Sequence, residues 1–278
     1  MEQNNQCCIV ECEMPLDSNY WNNQYMNNST GWDLGTVSLP LKNYIDSISA
    51  RNLAVLIPGC GNSYEAAYML AMGFTNITVI DIAPEPVNKL RNQLGDNENI
   101  KIALGDFFEH EGQYDLILEQ TFFCALPPAL RQRYVSKMHQ LLKPQGILAG
   151  VLFNINFENA GPPFGGSQME YEHLLKSAFR TIEMTPCTQS VESRQGKELW
   201  FQLQKDNNND TTILQIEGLT CGSCARSVEQ QVMQIPQIHN VSISTNLKDT
   251  LIVSSGNLNI STVSETINQN PEYKLLHP

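Results

Sequence analysis

Two constellations in this chain have the residue types and spacing to do chemistry. Cys221 and Cys224 stand three apart in Gly218-Leu219-Thr220-Cys221-Gly222-Ser223-Cys224. The first falls in a loop and the second in the first turn of the following helix, whose positive end lowers thiol pKa, so both can ligate as thiolates. Two soft sulfurs on an exposed loop, with no third ligand close in sequence, suit a low-coordinate soft ion such as Cu(I). A closed zinc site needs four ligands, and a thioredoxin-type dithiol would follow a strand of a different, larger fold. Far upstream, Gly59 and Gly61 follow an apolar run at 53–57, and Asp81 ends a second apolar run 20 positions after Gly61. Glycines after a strand let backbone come close to a ligand. A carboxylate at the end of the next strand is placed to accept hydrogen bonds from ribose hydroxyls.

That pattern describes a nucleoside site. A dinucleotide fingerprint requires a third glycine so that the helix N-terminus meets a pyrophosphate. Here Tyr64-Glu65 open the helix instead. A negative residue beside a pyrophosphate is unfavourable, whereas S-adenosylmethionine carries no phosphate. Further along, Asp106-Phe107-Phe108 follows the third apolar run. There the carboxylate can accept from an exocyclic amine while a ring packs on adenine. The stretch 120–128, Gln-Thr-Phe-Phe-Cys-Ala-Leu-Pro-Pro, is apolar where a loop is usually polar. At the carboxyl end of a parallel strand it makes an acceptor-pocket wall or a buried plug. Trp21 and Trp32 lie in a polar segment ahead of the first strand and read as a lid over the ligand or a seal on the sheet edge.

The elements that must position these residues follow from periodicity. Apolar runs at 53–57, 77–81, 100–104, 114–118 and 147–153 read as strands buried on both faces, with helices between them, as in a parallel sheet. Ser63 stands where it can cap the first of these helices. Strands at 180–185 and 198–204 close the sheet. Residues 206–211 form a polar linker. A strand–helix–strand–strand–helix–strand pattern then begins at 213, the ferredoxin-like order.

Composition narrows the function. Seventeen Lys and Arg stand against 29 Asp and Glu, a net charge of −12. No basic footprint is present for a nucleic-acid partner. No apolar run is long enough to cross a membrane and the first residues do not form a secretory signal, so the expected location is cytoplasmic. Eight cysteines without such a signal read as thiols and metal ligands rather than a disulfide framework. Cys7, Cys8 and Cys12 are either a further metal or redox group or incidental thiols of a terminus. No base–nucleophile constellation is visible, and His110, His139 and His173 read as surface or packing residues.

Taken together, several stretches in their order resemble the thiopurine S-methyltransferase family, in its thiol, thiocyanate and halide methyltransferase branch. They are Trp21 with Trp32-Asp33-Leu34-Gly35, Ile57-Pro58-Gly59-Cys60-Gly61, Asp81, Asp106-Phe107-Phe108, Thr121-Phe122-Phe123-Cys124-Ala125, 141–146 and Gly161-Pro162-Pro163-Phe164. The resemblance implies a Rossmann-like class I methyltransferase sheet. It also implies S-adenosylmethionine held by Trp21, Tyr25, Trp32, Gly59, Gly61, Asp81, Asp106, Phe107 and Glu119, and an acceptor pocket lined by Phe122, Phe123 and Phe164. Tyr25 and Glu119 stand where the plant branch has tryptophan and aspartate, and Gln120 replaces a tyrosine beside the acceptor loop. The segment from 212 resembles the heavy-metal-associated domain, with Leu219 in place of the usual methionine before Thr-Cys.

The expected organisation is an N-terminal segment 1–19, a methyltransferase domain 20–205, a linker 206–211 and a metal domain 212–278. The expected activity is methyl transfer to a small soft nucleophile, with a metal-donor or metal-acceptor protein as a further partner of Cys221 and Cys224. The rival reading is a metal-binding protein whose methyltransferase-like domain is a non-catalytic scaffold.

Overall fold

The computed structural model describes residues 15–158 and 161–276. Cys7, Cys8 and Cys12 lie outside the described residues. The first domain opens with two helices, α1 (Ser18–Met26) and α2 (Leu39–Ser47). Alternating strands and helices follow: β1 (Val55–Pro58), α3 (Tyr64–Ala71), β2 (Ile77–Asp81), α4 (Pro84–Leu94), β3 (Ile100–Leu104), β4 (Tyr114–Gln120), α5 (Arg131–Leu141) and β5 (Leu142–Phe153). Then come α6 (Gln168–Leu175), β6 (Phe179–Pro186) and β7 (Glu198–Lys205).

Every residue of β1 and β2 is buried, as expected of strands covered by helices on both faces. The seven strands lie in the order β3-β2-β1-β4-β5-β7-β6. β1 through β5 pair in parallel, and β7 is antiparallel to β5 and to β6. The order reverses between β1 and β4, which opens a crevice beyond their carboxyl ends.

The second domain comprises β8 (Asn209–Glu217), α7 (Gly222–Val232), β9 (Ile238–Ile243), β10 (Asp249–Ser255), α8 (Ile260–Ile267) and β11 (Lys274–Leu276). Its strands lie in the order β11-β8-β10-β9, all antiparallel, the expected βαββαβ arrangement. Leu214, Ile216 and Ile252 pack under Val228, Val232, Val263 and Ile267 of the two helices.

Two local expectations change. Ser63 does not cap α3: it sits in the left-handed region at φ 45°, makes no capping bond, and its buried Oγ has no partner. The polar stretch 206–211 is shorter as a connector than its composition implies, because β8 begins at Asn209. Its amides are tied down: Asp206 N–H donates to the Ala178 carbonyl at 3.2 Å and the Asn209 side chain to the Ser177 carbonyl at 3.0 Å.

Candidate active site

Beyond the carboxyl ends of β1, β2, β3 and β4 lies a cavity of about 650 Å³. Gly59 and Gly61 form its floor turn with φ 55° and 49°, a region L side chains rarely adopt. A Cβ on Gly59 would lie 2.2 Å from the Phe122 ring, so the glycine makes room for that ring as well as for the turn. A Cβ on Gly61 would lie 2.6 Å from the Tyr25 hydroxyl.

Asp81, at the end of β2, is buried and braces the glycine turn. One carboxylate oxygen accepts the Gly61 N–H and the other the Ala83 N–H, each at 2.8 Å. Burial raises its pKa and these amides oppose the rise. Each oxygen keeps a second lone pair for a ribose hydroxyl. Asp106 accepts the Phe108 N–H through one oxygen at 2.8 Å, leaving the other for an amine donor. Phe107 beside it is buried and lines the cavity.

The roof comes from the N-terminal segment. Asp17 caps α1 by accepting the Tyr20 N–H at 2.9 Å. The Trp21 and Trp32 rings meet edge to face at 5.6 Å, and Tyr25 and Trp32 at 5.8 Å. Asp33 ties this segment to the glycine turn through Asn62 and Tyr64. Trp21, Tyr25, Trp32, Gly59, Asp81, Asp106 and Phe107 all line the cavity. Gly61 borders a smaller cavity of about 60 Å³ that shares Tyr25, Trp32 and Gly59 with the first.

Three expected positions depart from the cavity. Glu119 is wholly buried and turned into the protein, where the Phe122 and Phe123 amides and the Tyr134 hydroxyl satisfy it. Phe123 faces the core, 4.9 Å from Tyr134 and 5.6 Å from Tyr171. Phe164 packs behind the wall, its N–H donating to the Cys124 carbonyl at 2.7 Å. Of the three expected acceptor-wall rings, Phe122 alone lines the cavity, joined there by Phe153 and Phe157. Cys124 also lines it, but burial pushes its thiol pKa up and its Sγ contacts the Thr121 carbonyl at 3.3 Å, so it stays neutral.

Arg194 escaped the sequence reading. It comes from the β6–β7 connection, at the same sheet end as the glycine turn. It is nearly buried and lines the cavity together with Lys197. One guanidinium nitrogen donates to the Trp32 carbonyl at 2.7 Å. The other lies 3.5 Å from Glu198 and makes no hydrogen bond. The signal for it was two cations in a loop at the carboxyl end of the sheet, inside an acidic chain.

In the second domain, Cys221 and Cys224 are joined as a disulfide, with their Cα atoms 5.2 Å apart. Reduction frees two thiols at the N-terminus of α7, where the Cys224 amide already points at the Cys221 sulfur at 3.2 Å. Among the described residues no group of three or more His, Cys, Asp or Glu is placed to hold a metal. Once reduced, Cys221 and Cys224 would offer two sulfurs, a pair whose chemistry suits a low-coordinate soft ion.

The parallel sheet, the glycine turn and the buried Asp81 form the frame of a nucleoside-binding fold. The comparisons make this specific: the family described as Thiopurine S-methyltransferase (TPMT) matches residues 16–207, and the Heavy-metal-associated domain matches residues 213–269. The chain belongs to the thiopurine S-methyltransferase family and is an S-adenosylmethionine-dependent methyltransferase followed by a heavy-metal-associated domain. A probable thiol methyltransferase 2 of Arabidopsis thaliana is 30% identical over 199 residues, covering 69% of this chain and 88% of the relative. Thiocyanate methyltransferase 1 of Brassica oleracea is 28% identical over 193 residues, 67% of this chain and 85% of the relative. A thiopurine S-methyltransferase of Vibrio vulnificus is 28% identical over 184 residues, 57% of this chain and 81% of the relative. Among solved structures, the 1,6-didemethyltoxoflavin-N1-methyltransferase of Burkholderia thailandensis superposes with a TM-score of 0.57 at 19% identity, covering 68% of this chain and 87% of that one. That likeness concerns the fold.

Proposed function

We propose that the enzyme S-methylates or otherwise methylates a small, soft, anionic nucleophile: a thiolate, thiocyanate, a halide or a chalcogen species. The observation that carries this is the pairing of an apolar wall with a buried guanidinium. Phe122, Phe153 and Phe157 strip water from an entering anion, while the Arg194 guanidinium, ion-paired with Glu198 at 3.5 Å, and Lys197 border the same cavity. In such a dry pocket the attraction between an anion and a cation strengthens.

Bound S-adenosylmethionine supplies a methyl group already activated by its sulfonium for in-line displacement. The protein's own share is to orient. Asp81 and Asp106 fix the ribose and the base, the Trp21–Trp32 roof excludes water, and the Phe122 wall aligns the acceptor. Such positioning can lower a barrier by roughly 7–11 kcal/mol. A soft anion brings its own lone pair, so no general base is required, which agrees with the neutral Cys124 beside the acceptor position.

The second domain, in this reading, carries a soft ion such as Cu(I) on Cys221 and Cys224 and exchanges it with a donor or acceptor protein. The fusion then serves detoxification of thiol, chalcogen or metalloid species in the cytoplasm. Among the described residues no helix is long and apolar enough to cross a membrane.

The test is calorimetric titration of S-adenosylmethionine, followed by methyl transfer with iodide, thiocyanate, bisulfide, selenide and an aromatic thiol. Binding with turnover of at least one soft anion is expected. Binding with no turnover across the panel would favour the scaffold alternative, and the absence of binding at millimolar cofactor would remove the enzyme reading altogether.

A further inference from the structure

The acceptor loop contains two consecutive phenylalanines, and only one faces the cavity. Phe122 packs against Gly59 and lies 5.0 Å from Phe107, so its ring borders both the base end and the acceptor end of the site. Phe123 is directed the opposite way, beneath the Arg131 guanidinium at 4.9 Å. A chain of two adjacent, chemically identical side chains does not choose between these orientations by hydrophobicity. The backbone must be held.

The hold is visible. One Glu119 carboxylate oxygen accepts both loop amides, Phe122 N–H at 2.8 Å and Phe123 N–H at 2.9 Å. The other accepts the Tyr134 hydroxyl at 2.9 Å. Glu119 and Tyr134 are both shielded from water. Between Glu119 and Phe122, Thr121 is driven to φ 59°, a conformation costly for a β-branched residue and sustained only where its surroundings over-determine it. Hydrogen bonds from two successive amides to one buried carboxyl oxygen supply that determination.

We propose that Glu119, braced by Tyr134 of α5, is the positioning residue of the acceptor pocket: it fixes which phenylalanine forms the wall and so sets acceptor affinity without touching cofactor or acceptor. The proposal rests on the methyl-transfer reading for its kinetic consequence, but not for the clamp itself.

The geometry dictates discriminating variants. Glu119→Gln preserves the pattern, because its amide oxygen can accept both backbone N–H groups while its NH₂ donates to the Tyr134 oxygen. Glu119→Ala removes all three bonds, and Tyr134→Phe removes one.

The experiment measures S-adenosylmethionine affinity by calorimetry, kcat and KM for the most active anion of the panel above, and hydrogen exchange of the Phe122 and Phe123 amides. Glu119→Ala is expected to raise acceptor KM by about tenfold or more, with Tyr134→Phe intermediate and Glu119→Gln close to wild type. Cofactor affinity is expected to change much less than acceptor KM in all three. The two amides should exchange at least about tenfold faster in Glu119→Ala. A wild-type acceptor KM in Glu119→Ala, or an equal rise in Glu119→Gln, would overturn the proposal. If Glu119→Ala does not fold, Tyr134→Phe decides, and a wild-type KM there has the same consequence. If the wild type methylates nothing, the functional reading fails instead. The clamp is then judged by amide exchange, where slow exchange in wild type and fast exchange in a folded variant upholds it and equal rates overturn it.

Discussion

Glu119 has no water to turn to, and that makes it a reporter on the folded state. Burial pushes its pKa from 4.5 up to about 7, opposed by the Phe123 amide, Tyr134 and the Phe122 amide. The other titratable and charged groups grouped with it around Cys124 are Arg194 and Glu198. Between pH 4.5 and about 7 the folded chain therefore holds a proton that the unfolded chain has lost. This contribution to stability is complete below the unfolded pKa and is lost as pH rises through the folded one. At 1.36 kcal/mol per pH unit the window is worth about 3 kcal/mol. In denaturant titrations at a series of pH values, Glu119→Gln is expected to flatten the fall in stability across that window by about this amount. A residual slope of the same sign should persist from Asp81 and Glu65, whose pKa values burial also raises. An unchanged profile would show that Glu119 does not hold the extra proton. Residues forced by local geometry were legible before any coordinates: a positive-φ turn requires Gly59, and Asp81 was legible as the carboxylate that ends β2. Glu119 was legible as a carboxylate at a strand end but not in its role. Strand periodicity does not say whether the penultimate side chain of β4 turns toward the cavity or back toward α5.

At the scale of elements, the cofactor roof is built differently from the rest of the domain. α1 buries none of its residues, so it is not held by a hydrophobic face. What holds it are edge-to-face aromatic contacts and two hydrogen bonds, one to the β2–α4 connection and one to the first turn of α4. Ser18 donates to the Ile82 carbonyl at 2.7 Å, and Asn22 accepts the Glu85 N–H at 2.7 Å. Their partners fall one and four positions after Asp81, so they tie the roof to the end of β2 and the start of α4. Each is worth about 0.5–1.5 kcal/mol. Removing both with Ser18→Ala and Asn22→Ala should weaken S-adenosylmethionine binding by roughly tenfold while leaving thermal stability nearly unchanged. Calorimetric titration of the double variant tests this, and wild-type affinity would mean that the aromatic contacts alone close the site. Trp21 and Trp32 read as a lid or an edge seal by being large and aromatic in a polar segment, and both line the cavity. The anchors could not be read, because serine and asparagine are ordinary loop residues whose partners lie more than 60 positions away.

The whole molecule is not a methyltransferase with a loosely strung metal module. The helix-free face of the second sheet rests on α5: Ile213, Leu251 and Val253 join the apolar cluster of Val135, Met138 and Leu141. Leu251-Ile252-Val253 was in fact a visible sign, since three consecutive apolar residues describe a strand covered on both faces. What covers the second face is a matter of tertiary arrangement. Polar contacts fix the docking. Gln132 donates to Ser242 at 3.0 Å, and Arg133 grips Asp249 with two bonds of 2.6 and 2.8 Å. The same helix carries Tyr134 on its inner side, so one element braces the acceptor loop and seats the metal domain. The Arg133–Asp249 pair is unequal: the Asp249 side chain is 3% exposed and that of Arg133 43%. Arg133→Ala takes the guanidinium from the buried Asp249 carboxylate, leaving it the Gln215 amide at 3.4 Å, and is expected to cost about 3 kcal/mol. Asp249→Asn leaves a guanidinium that can reach water, so it should cost clearly less, about 1–2 kcal/mol. Replacing both with apolar residues should recover most of the Arg133→Ala loss, because it removes the stranded charge itself. Denaturant unfolding of the intact chain, followed by tryptophan fluorescence, measures all three, since every tryptophan lies in the first domain. Equal costs for the two single variants would mean that the docking surface admits water around Asp249, and the two domains would then be coupled by their apolar contact alone.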